Sequence, residues 1–233
     1  MAYAFIQEKE AVVGGGGIGQ IDSGDTTSSC TAGGLLIAVI KFDFFATETI
    51  TMSDVTGTND TWTQCGGYIS GSGKKLAMFR LENCASGTLN ARATFVGGDV
   101  SQAAISVYEF SGLQTAGFDK TTGQYQFDPG TSADAVTSGA TAALAGQPAL
   151  VFGFTYKFAG TGIVPSSGTA YTSLNSVWTD AGRGEHKRVT ATTAVAGTFT
   201  AGATSQEHLT FVATFLEEGG AVFTPRSTLL GVG

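Results

Sequence analysis

Leu89, Ala91, Ala93 and Phe95 alternate with Asn90, Arg92 and Thr94. An extended chain puts the first set on one face and the second on the other, the mark of a sheet with one buried face. After a Gly97-Gly98-Asp99 turn, Ala103 to Phe110 runs extended again and stops at Ser111-Gly112. Leu35 to Phe42 is apolar on both faces and reads as a central strand of a packed sheet. Upstream, a strand from Tyr3 to Val13 leads into the glycine run Gly14 to Gly17 and a polar loop through Ser29. Ile50-Thr51-Met52 and Thr61-Trp62-Thr63 are short strands around a Thr56 to Asp60 turn, and Leu76 to Leu81 follows the Gly71-Ser72-Gly73 turn.

Beyond Gln114 the chain becomes polar and rich in small residues as far as Gln147, with strands predicted at Gln124–Phe127 and Ala135–Thr137. Leu150 to Phe158 is the strongest strand of this half, with Leu150, Phe152, Phe154, Tyr156 and Phe158 on one face. Weaker strands follow at Val177–Thr179, Lys187–Thr193 and Gly197–Ala201, and Leu209 to Phe215 closes the series. No segment shows sustained helical periodicity. The pattern predicts an all-β chain: an antiparallel, jelly-roll-like β-sandwich with extended N- and C-terminal segments. Residues 1–32 form an N-terminal strand and glycine-rich segment able to serve as the sandwich's first strand. Residues 33–217 form the sandwich and residues 218–233 a C-terminal extension.

The 42% of hydrophobic residues, 16 of them Phe, supply a sizeable core, and the 34 Gly have no three-residue period and suit a protein of many turns. A formal charge of −7, with only 12 Lys and Arg, argues against a nucleic-acid face and against anionic membrane surfaces. The densest basic cluster, Arg183, Lys187 and Arg188, is broken by Glu185 and reads as a solvated loop or strand edge. Met1 to Lys9 has neither the basic start nor the apolar stretch of a signal peptide, so synthesis in a cytosol is expected. Cys30, Cys65 and Cys84 then read as reduced thiols, mostly buried as small hydrophobes.

Reactive chemistry is sparse. Gly14, Gly16 and Gly19 satisfy G-x-G-x-x-G after a strand, but Gln20 to Thr27 has turn composition where a dinucleotide site needs a helix. Gly71 to Lys75 lacks the glycine and the hydroxyl of a phosphate-binding loop and reads as a hairpin turn. Glu185-His186 and Glu207-His208 put neighbouring residues on opposite strand faces, so surface histidines are expected rather than a metal site. With two histidines and no G-x-S-x-G elbow, the chain is read as non-enzymatic, with no catalytic residue, cofactor or metal. Trp62, Tyr68, Tyr171 and Trp178 are candidate ligand-stacking aromatics for a sugar face, with Tyr156 beside them. The competing reading puts Trp62 and Tyr156 in the core, and Trp178 too if its strand is inner. At the two ends, Tyr3, Phe5, Ile6, Val222 and Phe223 stand on segments set off from the sandwich by flexible glycine joints and are candidate assembly contacts.

Three stretches carry a resemblance: Gly34-Leu35-Leu36-Ile37-Ala38-Val39, then Val55 through Asn59-Asp60-Thr61-Trp62, then Val107-Tyr108-Glu109-Phe110-Ser111-Gly112-Leu113. With the later Ala149-Leu150-Val151-Phe152-Gly153, they resemble a β-sandwich family of bacteriophage virion proteins and bacterial surface or polysaccharide-associated proteins. The likeness covers roughly residues 33–217 and departs from the family at Thr58-Asn59-Asp60 and between Gln114 and Gln147. It implies a fold and a setting and transfers no catalytic residue. The function expected is a structural protein of a phage virion, a capsid decoration or head or tail accessory made in the host cytoplasm. Its partners would be copies of itself and major capsid or tail proteins. The alternative is a carbohydrate-binding module or adhesin with glycan partners.

Overall fold

Eight consecutive positions, Leu35 to Phe42, are buried, so the strand they form has a sheet packed on each of its faces. The structure, a computed structural model, describes residues 2–43, 49–57, 61–128, 135–159, 166–178, 181–201 and 206–222. In chain order the first nine strands are β1 (Ala4–Ile18), β2 (Gln20–Asp22), β3 (Leu35–Asp43), β4 (Thr49–Asp54), β5 (Thr63–Gln64), β6 (Ile69–Gly71), β7 (Lys74–Leu81), β8 (Ala91–Val96) and β9 (Val100–Ser111). The next eight are β10 (Leu113–Asp128), β11 (Ala135–Thr137), β12 (Gly146–Ala159), β13 (Ser166–Ser167), β14 (Thr172–Val177), β15 (Gly182–Val189), β16 (Thr198–Thr200) and β17 (Gln206–Val222). The fold is all-β, and its antiparallel sheets stack as sandwiches.

Two main sheets form the centre, ordered β1-β9-β3-β7-β5, with β6 also on β7, and β10-β17-β12-β15-β14. Between them lies a core of Ile37, Val39, Tyr108 and Phe110 from one sheet and Phe152, Phe154, Phe211 and Phe215 from the other. A three-stranded sheet, β2-β8-β4, covers the outer face of the first main sheet through Ile21, Ala93 and Phe95. A second, β11-β16-β13, lies over the outer face of the other, with Val136 and Phe199 at its centre.

The two halves of the chain are topological copies. β1-β9-β3-β7-β5 corresponds strand for strand to β10-β17-β12-β15-β14, and β2-β8-β4 to β11-β16-β13. Registers agree: Leu35 pairs with Phe110 and Phe5 with Phe110, as Leu150 pairs with Phe215 and Phe118 with Phe215. So do local bonds. Ser23 N donates to Ala91 O (2.8 Å) while Ala91 N donates to Ser23 Oγ (3.0 Å). Ser138 does the same with Gly197, at 3.0 and 2.9 Å. Thr26 and Thr141 repeat the exchange with Leu89 and Val195. The glycines after the serines, Gly24 and Gly139, sit at φ 74° and 75°, the left-handed region glycine enters without steric cost.

Several expectations are corrected. The glycine run is not a joint: β1 continues through it to Ile18, with Gly15, Gly16 and Gly17 at positive φ forming an irregularity between Gly14 and Ile18 in the pairing with β9. The N-terminal strand therefore has its partner inside the chain. Ala221 and Val222 likewise belong to β17, opposite Gln147 and Gly146, while Phe223 lies outside the described residues. The basic cluster is no sheet edge either, since β15 runs between β12 and β14. The Gly71 to Lys75 hairpin turn is as expected, with Ser72 and Gly73 at φ 45° and 75° between β6 and β7.

Candidate functional site

The main sheets end in two long strands, β1 of 15 residues and β10 of 16. Each is the terminal strand of its sheet, paired on one side with β9 or β17. They occupy equivalent places in the two halves. Apolar side chains stand exposed on both: Phe5 (36%), Ile6 (41%) and Val13 (40%) on β1, and Tyr125 (38%) and Phe127 (58%) on β10. Among the described residues no strand is hydrogen-bonded to the outer side of either, which leaves a template for another chain.

β1 is also tied to the second half. Tyr3 Oη lies 2.9 Å from His186 Nδ1, Glu8 accepts a hydrogen bond from the Asn175 amide, and Glu10 Oε2 accepts from Trp178 N at 2.7 Å. Burial pushes the Glu8 carboxyl above its ordinary range, against the Asn175 hydrogen bond, and pushes the Tyr3 phenol up to about 12. Of the candidate assembly contacts, Phe5 and Ile6 are thus exposed on an edge, whereas Tyr3 is half-buried against the central core.

The four candidate stacking aromatics do not share a surface. Trp62 and Tyr68 pack against the outer core of the first half, where Tyr68 Oη accepts from Ile50 N at 2.8 Å. Tyr171 packs against the outer core of the second half, its hydroxyl donating to Ala196 O and its ring under Lys187 Nζ at 4.0 Å. Trp178 is 3% exposed, in the central core between the halves, together with Tyr156. Three separate cores have drawn them apart.

The histidines are not on the surface. His208 is wholly buried because β17 is an inner strand, and His186 is half-buried within ring contact of Tyr3, Phe5 and Phe110. Burial lowers the His186 pKa. Among the described residues no group of three or more His, Cys, Asp and Glu is placed to hold a metal ion, and no helix is long and apolar enough to cross a membrane. Cys30, Cys65 and Cys84 are free and buried. Burial pushes the Cys65 thiol up to about 11, and the Cys30 thiol is raised by its hydrogen bond with Cys84 and by burial, so neither is an activated nucleophile.

The duplicated edges were missed in the sequence because β10 runs through Thr121-Thr122-Gly123, a polar stretch with no face to bury. The signal that could have found them is the paired spacing Ile21-x-Ser23-Gly24-x-Thr26 and Val136-x-Ser138-Gly139-x-Thr141. No protein-family model, curated protein or solved structure matches this chain.

Proposed function

We propose that the protein is a non-enzymatic structural component of a bacteriophage particle, a capsid decoration or head or tail accessory that is assembled in the host cytoplasm. The observation that carries this reading is the pair of equivalent edge strands, each long, each ending a main sheet and each bearing exposed apolar side chains. Unpaired strand edges bind by adding a strand from a neighbour, with backbone hydrogen bonds giving affinity and side-chain contacts giving register. Two such edges per subunit provide two attachments, which a lattice or ring needs and a simple monomer does not. The resemblance of Leu35–Val39 and Val107–Leu113 to a virion-associated sandwich family supplies the setting.

Sedimentation of the purified protein over a concentration series, alone and with phage heads or tails lacking it, tests this. Concentration-dependent oligomers or saturable binding to the particles is expected, with loss of either when Ile6 and Phe127 are both changed to Lys. A protein that stays monomeric at high concentration and binds neither particle would overturn the proposal.

A further inference from the structure

The two halves differ in sulfur. The first carries Cys30 ahead of β3 and Cys84 just beyond β7. Counted from Leu35 and Leu150, and from Phe79 and Glu185, the equivalent places in the second half are Ala145 and Thr190. Cys30 and Cys84 are each 2% exposed and belong to the same outer core, whereas Cys65 lies in the central one. The backbones that carry the pair are held together. Cys30 N donates to Gly87 O at 2.8 Å, Gly33 N to Cys84 O at 2.9 Å and Cys84 N to Gly34 O at 2.9 Å.

The two thiols meet behind this ladder. Cys84 Sγ donates to Thr31 O at 3.0 Å, the carbonyl next along the chain from Cys30, and accepts a hydrogen bond from the Cys30 thiol. That donor favours a Cys84 thiolate and lowers its pKa, against burial and the nearby Glu109 carboxylate. The same contact, with burial, raises the pKa of Cys30. One sulfur is thus prepared to attack and its neighbour to keep its proton.

A single surface turn covers the pair. Thr31, Ala32 and Gly33 are exposed, and so is Asn83 beside Cys84. Gly33, Asn83 and Gly87 turn the chain at φ 81°, 60° and 136°. A cavity of about 410 Å³ opens at this turn, lined chiefly by Thr31, Gly33, Gly34, Ser111 and Gly112. A Cβ on Gly34 would lie 3.3 Å from Cys84 Sγ, so the glycine leaves bare backbone between cavity and sulfur. A molecule as small as hydrogen peroxide needs only a local opening of the turn to reach the thiol, and exposed turns open at far lower free energy than a core strand.

We propose that Cys84 and Cys30 form an oxidation site, at which hydrogen peroxide converts Cys84 to a sulfenic acid and Cys30 resolves it to a disulfide. The Cys84 thiolate attacks one peroxide oxygen, the O–O bond breaks, and the departing hydroxide takes the Cys30 proton to become water. The Cys30 thiolate then attacks the sulfenic sulfur. The S–S bond forms, the S–O bond breaks, and the second hydroxide takes up the proton that Cys84 gave to solvent. The two sulfurs lose two electrons in all, and one peroxide becomes two waters. A resolving thiol in contact stops the oxidation at the reversible disulfide. Cys65, which burial pushes up to about 11 and which has neither other cysteine in its core, is the inert comparison within the same chain. This site is independent of the strand edges.

The test exposes the folded full chain to graded hydrogen peroxide, blocks the remaining thiols in denaturant and maps tryptic peptides without reduction. Cys30, Cys65 and Cys84 fall on separate peptides, residues 10–41, 42–74 and 81–92. The expected product links the first peptide to the third, is reversed by dithiothreitol, and forms about tenfold or more faster than any oxidation of Cys65. Cys30→Ser should leave Cys84 as a sulfenic acid that dimedone traps on unfolding, and Cys84→Ser should leave Cys30 reduced. If a serine variant fails to fold, the map of the parent chain decides alone. All three thiols surviving in the folded chain, at a dose that consumes those of the denatured chain, would overturn the site. So would a link that includes Cys65, or Cys84 oxidised with Cys30 untouched, and either result would leave the assembly role as it stands.

Discussion

On the outer face of the first main sheet, Ile40 pairs across strands with Ile105; at the matching place in the second stand Thr155 and Thr210, their hydroxyls 2.9 Å apart. The next difference is larger. Ala38 opposite Phe79 in the first half becomes Gly153 opposite Glu185 in the second. Glu185 is fully buried, and its two carboxylate oxygens accept from Thr198 N and Gly168 N, both at 2.8 Å. A side chain on Gly153 would meet Glu185 at 2.9 Å, so the glycine makes room for the carboxylate. The small sheet of the first half is therefore held by apolar packing, and that of the second in part by hydrogen bonds to one buried acid. One topology tolerates both because each arrangement satisfies the groups it buries.

The core shared by the halves should show the largest effect. Phe152 is wholly buried between the main sheets, with its ring 5.1 Å from that of Tyr108 and 6.1 Å from that of Phe110. Phe152→Ala is expected to cost about 3–5 kcal/mol through lost burial and the cavity left behind. Because the residue belongs to the interface of both copies, chemical denaturation should show a single transition shifted as a whole. A first half that keeps its own stability while the second melts would separate the halves into independent units.

Glu185 gives the second half a pH sensitivity at a place where the first has the apolar Phe79. Burial pushes its carboxyl from the ordinary 4.5 up to about 7, against the two backbone N–H donors and Lys187. Between these values the native state holds a proton that the unfolded chain has released. Stability therefore falls as pH rises through that window, and the loss is complete above 7. The full drop is about 3 kcal/mol at 1.36 kcal/mol per unit. Denaturation across the window should show this slope, and Glu185→Gln should flatten it. An unchanged slope in the variant would assign the pH dependence to another group.

Much of this architecture was readable from alternation. Ala135–Thr137 is a strand at the expected residues, Leu35 to Phe42 is buried on both faces, and Phe152, Phe154 and Tyr156 share the central core. Free, buried cysteines were also expected. The duplication was not readable from alternation, because half of its signal is a buried face that turned polar: Thr155, Glu185 and Thr210 break the apolar rows that Ile40, Phe79 and Ile105 keep. The same change hid His208, whose polar neighbours suggested a surface. The glycine run misled in the other direction, since positive-φ glycines build an irregularity in an edge strand as readily as a flexible joint. Lys41 and Tyr156 meet only because the two main sheets pack face to face, which alternation within either strand does not show.

The threonine pair allows the two chemistries to be exchanged. Thr155→Val alone leaves the buried Thr210 hydroxyl without its partner and should cost about 1–3 kcal/mol. Ile40→Thr places an unpaired hydroxyl in the apolar outer core and should cost a similar amount, about 1–3 kcal/mol. Changing Thr155 and Thr210 together to Val restores the pattern of the first half and should be nearly neutral. A double-mutant cycle measures the coupling. If the double variant is as unstable as the sum of the singles, the second half needs polarity at this place for a reason other than the bond between the hydroxyls.

The smallest effect on stability, and the sharpest on the comparison, belongs to the edges. Ile6 and Phe127 are 41% and 58% exposed, so Ile6→Lys and Phe127→Lys should each change stability by no more than about 0.5 kcal/mol. Lysine on an edge strand opposes strand addition, through its charge and the water it keeps. If β1 and β10 are equivalent in use as well as in topology, each single variant should weaken self-association or particle binding by a similar factor, and the pair should abolish it. A loss confined to one variant would show that the copies have divided their roles. Since Glu8 and Glu10 already bind β1 to the second half, β10 would then be the edge left free for a partner. Association unchanged in both variants would remove the edges from the interface altogether.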